Sequence, residues 1–327
     1  MPSPINNTRH TANNSLNIEE TPMTRTIENA PQFKHFKVTP CTPTIGGTIE
    51  GMHLSEVTNE EVAEELRQAL WHYGVLFAKA QHLSNDQMKK IALYFGDELE
   101  QHTYARTLEG DPEVLLIEMV YADKAKLTTD IWHHDVTGRK HPNIMSVLQA
   151  DEVPFGADTM WASASAAYES LPYALKLLFL NLDIDHDAAY AVLRHGFADS
   201  SNIALRMIER GEATTHPAVV HHHATGRPCM FVGNGYIKRV SEYSSELSEL
   251  ILKMANELPK LPEFQVRHQW QPGDVAIWDN YGTWHYGVVS GARGQVRRLH
   301  RVAAVSKSIT PTLDRERAVR ELMAAGA

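Results

Sequence analysis

The sequence predicts an α+β domain, mainly β, in which an antiparallel sandwich or barrel is flanked by helices. Three patterns predict it. Helical periodicity with clear stops occupies the first third of the chain. Two-residue alternation with tight turns occupies the last third. No internal repeat and no Pro/Gly-rich linker divides the body.

Residues 1–30 are rich in Asn, Thr, Ser and Pro and carry few apolar groups to bury. They are expected to form a disordered tail ahead of a single domain over residues 31–327. Asn59 to Tyr73 puts Val62, Leu66, Leu70 and Tyr73 on one helical face, and Gly74 stops the helix. Val75 to Ala78 then reads as a buried strand. Ser84 with Gln87 is a capping box for a second helix carrying Met88, Ile91 and Phe95, closed by Gly96. Glu113 to Glu118 encloses an apolar strand. Residues 185–226 have weak periodicity and are expected to form a long insertion, a lid over one mouth of the sheet. Leu247, Leu250, Ile251, Met254 and Leu258 give the clearest helical stripe. Phe264, Val266, His268 and Trp270 alternate with polar residues, and Gln271-Pro272-Gly273-Asp274 is a turn from which Val275 to Trp278 returns as a hairpin partner. Val296 to Val305 is a further strand.

Composition narrows the function. The 327 residues include 31 basic and 40 acidic side chains, a net charge of −9, so the chain has no broad basic surface for nucleic acid. No apolar run approaches the roughly 18 residues a membrane helix needs. No apolar leader opens the chain, and the two cysteines, Cys41 and Cys229, are too few and too far apart for a disulfide framework or thiolate zinc site. A cytoplasmic protein acting on a small molecule is expected.

Chemistry first surfaces at Trp132-His133-His134-Asp135-Val136-Thr137. Residues two apart on a strand share a side, so His133 and Asp135 can face one metal while His134 points away. An HxD pair is common by chance and argues little alone. His285, in Trp284-His285-Tyr286, can supply a third ligand. Two histidines and a carboxylate on one face of a metal leave open positions, the geometry of non-haem Fe(II) oxygenases. On the strand that follows, Arg297, Leu299 and Arg301 share one side, Arg298 and His300 the other. Arg297 lies 12 residues beyond His285, the distance of an adjacent antiparallel strand. An arginine there can grip a dicarboxylate bidentately. The alternative is a solvated basic face, and one side of this strand must be that.

These pieces, with Gly156-Ala157-Asp158-Thr159-Met160-Trp161, Ala166-Ala167-Tyr168-Glu169, Phe231-Val232 and Trp270 to Asn280, occur in order from about Val38 to Val305. The ordered set resembles the taurine dioxygenase / 2,4-dichlorophenoxyacetate dioxygenase family of Fe(II)- and 2-oxoglutarate-dependent oxygenases. The resemblance implies a double-stranded β-helix, or jelly roll. It implies His133, Asp135 and His285 as iron ligands, Thr159 and Arg297 on the distal carboxylate of 2-oxoglutarate, and Arg301 on an anionic substrate group. His102, Tyr104 and Tyr236 are placed at the substrate. Dioxygen is the oxidant, and succinate and carbon dioxide leave as an unactivated C–H bond of a small organic substrate is oxidised. Two departures, Gly138 after Val136-Thr137 and Thr129-Asp130-Ile131 before the first motif, imply a pocket unlike taurine's, and a larger one. By the same resemblance the chain is a homo-oligomer, a dimer or tetramer. Alternatives are desaturation or ring closure at the same iron, a metal-binding jelly roll without redox activity, and a zinc hydrolase, which leaves Arg297 and Thr159 unexplained.

Overall fold

The computed structural model describes residues 30–102, 105–120, 131–195, 200–288 and 294–325. The expected tail lies outside the described residues apart from Ala30, as do Tyr104, Thr129 and Asp130.

The chain enters as two short strands, β1 (Lys37–Pro40) and β2 (Gly47–Glu50). Helix α1 (Glu60–Tyr73) follows as the periodicity requires. The Asn59 side chain accepts from the Val62 amide, acidic residues fill the first turn, and Gly74 closes the helix at φ +72°. Val62, Leu66, Leu70 and Tyr73 are all buried. The chain continues through β3 (Val75–Ala78), α2 (Asn85–Leu93, opened by the Ser84/Gln87 capping box), β4 (Glu98–Leu99), β5 (Thr107–Leu108), β6 (Asp111–Val120) and β7 (Asn143–Glu152). Next come β8 (Thr159–Ser163), α3 (Ala164–Glu169), α4 (Tyr173–Leu180), β9 (Asp183–Asp187), α5 (Ala188–His195), α6 (Ser200–Glu209), β10 (Ala213–Pro217), β11 (Val219–His221), β12 (Pro228–Met230) and β13 (Ile237–Val240). The last elements are α7 (Ser245–Ala255), β14 (Gln265–His268), β15 (Val275–Asp279), β16 (Thr283–Gly287), β17 (Val296–Val305) and α8 (Arg315–Ala325).

Two facing sheets form the jelly roll. Among the described residues the larger has nine strands in the order β1-β2-β3-β15-β7-β17-β6-β5, with β4 also on β17; the smaller is β14-β8-β16. Side chains from both interdigitate. Phe77, Trp278 and Leu299 of the large sheet meet Trp161 and Val266 of the small one, with Trp161 5.4 Å from Phe77 and 5.9 Å from Trp278 between ring centroids. A larger cluster packs α1, α2 and α3 against the outside of the sheets.

The structure corrects three expectations. Val275 to Trp278 does not return on β14. His268 pairs with Thr159, while Val275 pairs with Ala78 and Gln149. The turn carries the chain from one sheet to the other, held by Asp274 accepting from the Gln271 amide, the Ala80 amide and Lys79. Likewise β16 and β17 are not neighbours. They lie in opposite sheets, so the 12-residue spacing spans the gap between them. The stripe of α7 is not all core: Leu247 and Leu250 are 52% and 65% exposed, and the helix seats Ser248 and Ala255 instead, with Ser248 Oγ accepting from the Val240 amide. Residues 185–226 are built from regular elements, α5 and α6 packing on each other through Ala188, Val192, Ala204 and Met207. Their helices are short, which is why periodicity was weak there.

Candidate active site

The candidate site lies between the two sheets. Each wall contributes by strand alternation. The small sheet presents His285 and Thr159; the large sheet presents Arg297 and Arg301 from the buried side of β17.

His133 and His285 are partners in an isolated antiparallel bridge. The His133 amide donates to the His285 carbonyl (3.1 Å), and the His285 amide returns the bond (2.9 Å). Asp135 does not continue a strand. It sits in a turn, and Val136 takes φ +47°, unusual for a β-branched residue and a sign of backbone held against its preference. Asn280 holds this turn. Its Oδ1 accepts from the Asp135 amide (2.8 Å), and its Nδ2 donates to the carbonyls of Asp135 (3.1 Å) and Asn143 (2.8 Å). His134 points away, with its ring against Phe231 and Trp284 and Nδ1 2.8 Å from the Asn280 carbonyl.

The two imidazoles face one carboxylate oxygen. Asp135 Oδ1 is 3.5 Å from His285 Nε2 and 3.8 Å from His133 Nε2, and one ligand atom from each residue lies within 4.8 Å of the others. His133 Nδ1 is 2.7 Å from the Ile131 carbonyl, which assigns its proton to Nδ1 and leaves Nε2 as a lone-pair donor. Burial, then the neighbouring His285, push the His133 pKa down to about 3. Burial would raise the Asp135 pKa, but Arg301 and the histidines hold it well below the usual range. A neutral imidazole donor and an ionised carboxylate, converging on one point, fit a divalent metal such as Fe(II). Among the described residues this is the one His/Cys/Asp/Glu cluster of that kind.

Arg297 is 5% exposed. Its Nη2 donates to Thr159 Oγ1 (3.1 Å) and its Nε to the Ala157 carbonyl (3.3 Å), and Trp270 Nε1 also donates to Thr159 (2.9 Å). Threonine and guanidinium thus form one polar end of the cavity. Arg301 forms another. Its Nη1 is 2.6 Å from Asp135 Oδ2, and its Nη2 donates to Glu100 Oε2 (3.1 Å) and toward His102 Nε2 (3.3 Å). His102 therefore accepts at Nε2 and carries its proton on Nδ1. Burial, then Arg301 and Arg139, push its pKa down to about 3.

The cavity has a volume of about 360 Å³. His102, Tyr236, Thr159, Arg297 and Arg301 line it with His133, Asp135 and His285, so the structure brings together every described site residue that the sequence predicts. Ala191 and Val192 of α5 and Ile203 and Met207 of α6 also line it, as an aliphatic wall. Gly138 does not enlarge this space. A Cβ there would lie 2.8 Å from the Glu212 carbonyl, so the glycine admits a close backbone crossing. Sequence reasoning missed Asn280, Glu100 and Arg139. Asn280 ends the recognised stretch Trp270 to Asn280 but has no role assigned there; the other two carry no local signal.

The chain resembles known proteins over most of its length. The family model described as taurine catabolism dioxygenase TauD, TfdA family matches residues 37–303. An alkylsulfatase of Acinetobacter baylyi is 32% identical over 276 residues, covering 81% of this chain and 83% of the relative. An alpha-ketoglutarate-dependent sulfate ester dioxygenase of Pseudomonas putida is 29% identical, covering 80% of this chain and 87% of the relative. The crystal structure of a taurine dioxygenase from Burkholderia xenovorans superposes with a TM-score of 0.69 at 27% identity, covering 83% of this chain and 90% of that one.

Proposed function

This chain belongs to the taurine catabolism dioxygenase TauD, TfdA family, and on that premise we propose that its substrate is an alkyl sulfate ester. The family's activity is the chain's own: it is an Fe(II)- and 2-oxoglutarate-dependent dioxygenase that oxidises an unactivated C–H bond of a small organic molecule, with succinate and carbon dioxide released. The bound metal supplies the site at which 2-oxoglutarate and dioxygen react.

The residues divide the remaining work. We assign the metal to His133, Asp135 and His285. Asp135 would hold the metal through Oδ1, because Oδ2 is engaged by Arg301 Nη1. Arg297 and Thr159 receive the distal carboxylate of 2-oxoglutarate, and the guanidinium orients it bidentately. One observation carries the substrate reading. A single cavity is lined by the guanidinium of Arg301 beside His102, which we read as an anion-binding end, and by an aliphatic wall from α5 and α6. A sulfate head on the first and an alkyl chain on the second put the carbon that bears the ester oxygen next to the metal. Hydroxylation of that carbon gives an unstable adduct that collapses to an aldehyde and inorganic sulfate. Similarity to the alkylsulfatase and the sulfate ester dioxygenase supports the same class.

The test is turnover of a series of linear alkyl sulfates with Fe(II), 2-oxoglutarate and dioxygen. Sulfate, aldehyde and succinate should form in equal amounts, and Met207→Trp should shorten the preferred chain. Succinate formation that ignores every alkyl sulfate but follows an aryloxy acid would overturn the assignment. We also read residues 31–327 as one domain, residues 185–226 as its lid, and the protein as a cytoplasmic dimer or tetramer. Among the described residues no helix is long and apolar enough to cross a membrane. Sedimentation velocity distinguishes the oligomers.

A further inference from the structure

We infer that Glu100 is a specificity-determining residue: its carboxylate, buried between Arg301 and Arg139, restricts the substrate cavity to head groups that carry a single negative charge. The inference deepens the substrate reading above and rests on it for where the head group sits.

Glu100 follows β4, and its amide donates to the Ala303 carbonyl (2.8 Å), which fixes it beside β17 two residues from Arg301. It is 1% exposed. Each oxygen accepts from a different guanidinium: Oε1 from Arg139 Nη1 (3.0 Å) and Oε2 from Arg301 Nη2 (3.1 Å). Burial pushes its pKa up while Arg301 and Arg139 push it down, and with a guanidinium on each oxygen we read it as an ionised carboxylate.

The consequence falls on Arg301, the cation at the head-group end of the cavity. A head group approaching it meets a guanidinium whose Nη1 gives one of its two N–H groups to Asp135 and whose Nη2 donates to Glu100 and His102. The second Nη1 N–H is left to donate, while Nε is fully buried. His102 adds a neutral N–H, because burial beside two arginines keeps it uncharged. Among the described residues that line the cavity, the other cations are already engaged. Arg139 is already bound to Glu100 and to Glu212 (3.3 Å), and Arg297 serves the opposite end with Thr159. At the cavity rim Arg106 and Glu118 offset each other at 2.5 Å. A monoanion is therefore matched. A dianion places its extra charge against the Glu100 carboxylate in a region of low dielectric, where the repulsion is weakly screened.

An alkyl phosphate tests this directly, because its second ionisation falls near pH 6 while an alkyl sulfate stays a monoanion throughout. Binding of hexyl phosphate and hexyl sulfate is measured by calorimetry under argon, on protein loaded with Fe(II) and 2-oxoglutarate, so no turnover enters. Between about pH 5.5 and about pH 8, hexyl phosphate should lose at least about tenfold in affinity and hexyl sulfate less than about threefold. Glu100→Gln, checked first for Fe(II) and 2-oxoglutarate binding, should remove the difference. Equal binding of phosphate monoanion and dianion by the unmodified protein overturns the inference, whether or not the variant folds. An unchanged preference in a folded Glu100→Gln protein overturns it too. If hexyl phosphate shows the loss and hexyl sulfate does not bind, the charge rule stands and the sulfate reading fails.

Discussion

Replacing Arg297 with alanine should separate cosubstrate binding from metal binding. Two hydrogen bonds from a guanidinium to a carboxylate contribute about 1.5–3 kcal/mol each in a buried site. Thr159 keeps the Trp270 N–H when Arg297 is lost, so part of the polar end survives. A net loss of about 3–4 kcal/mol is expected, which raises the 2-oxoglutarate concentration for half-saturation by roughly 150- to 1,000-fold. Arg297→Lys keeps the charge but not the fork, and should fall about midway. Fe(II) affinity should change less than threefold, since Arg297 donates to Thr159 and Ala157 at the cosubstrate end of the cavity. The assay is titration of the visible charge-transfer band of 2-oxoglutarate on Fe(II) under argon, with iron affinity from chelator competition. Arg298→Ala is the control: it lies on the outer side of β17 with Glu118 (2.7 Å) and Glu152 (3.2 Å), and should change nothing. An unchanged 2-oxoglutarate requirement in Arg297→Ala, or a loss in Arg298→Ala, would refute the assignment of the inner face.

Three further outcomes follow from the geometry. Asp135→Ala should lower Fe(II) affinity at least about a hundredfold and abolish succinate formation, and retained turnover would end the ligand assignment. Gly235→Ala would place a Cβ 2.9 Å from His133 Cβ; iron affinity should drop about tenfold while urea stability changes little, and an unaffected affinity would show that the loop yields freely. His216 is pushed down to about 4 by burial, although its Nε2 bonds to the Thr137 and Arg139 carbonyls oppose the shift. Its folded pKa lies below the unfolded value of about 6.5, so the unfolded chain takes up the proton first as pH falls. Stability is then lost between about pH 6.5 and pH 4, by on the order of 3 kcal/mol from this group, and levels off below. Urea midpoints across that range should slope less in His216→Gln, and parallel slopes would count against it.

The parts of the fold set by local chemistry were open to reading from residues alone. Helix α1 announces itself by an Asn cap, a four-residue spacing and a Gly stop, and all three are in place. The inner and outer faces of β17 follow from alternation, which depends only on the strand's pleat. What escaped was set by partners far along the chain. Gln271 to Asp274 has the composition of a hairpin turn, and nothing in it says that Val275 will find Ala78 and Gln149 rather than β14. His133 and Asp135 share a side as alternation predicts, but a turn with Val136 in the left-handed region brings them there. Glu100 and Arg139 are residue types that are usually solvated, and only their long-range pairing lets Glu100 be buried and Arg139 half-buried.

The reciprocal bridge between His133 and His285 has a thermodynamic consequence. Two of the three assigned ligands are tied through their own peptide groups, so their separation is set by the folded backbone before any ion arrives. Little conformational entropy remains to be lost on coordination. The ion is then a guest of a folded host rather than its organiser, unlike small zinc domains that are unfolded without metal. Chelators should leave the far-ultraviolet spectrum intact, and added Fe(II) should raise the melting temperature only by mass action, about 2.7 kcal/mol at a hundredfold excess over its dissociation constant.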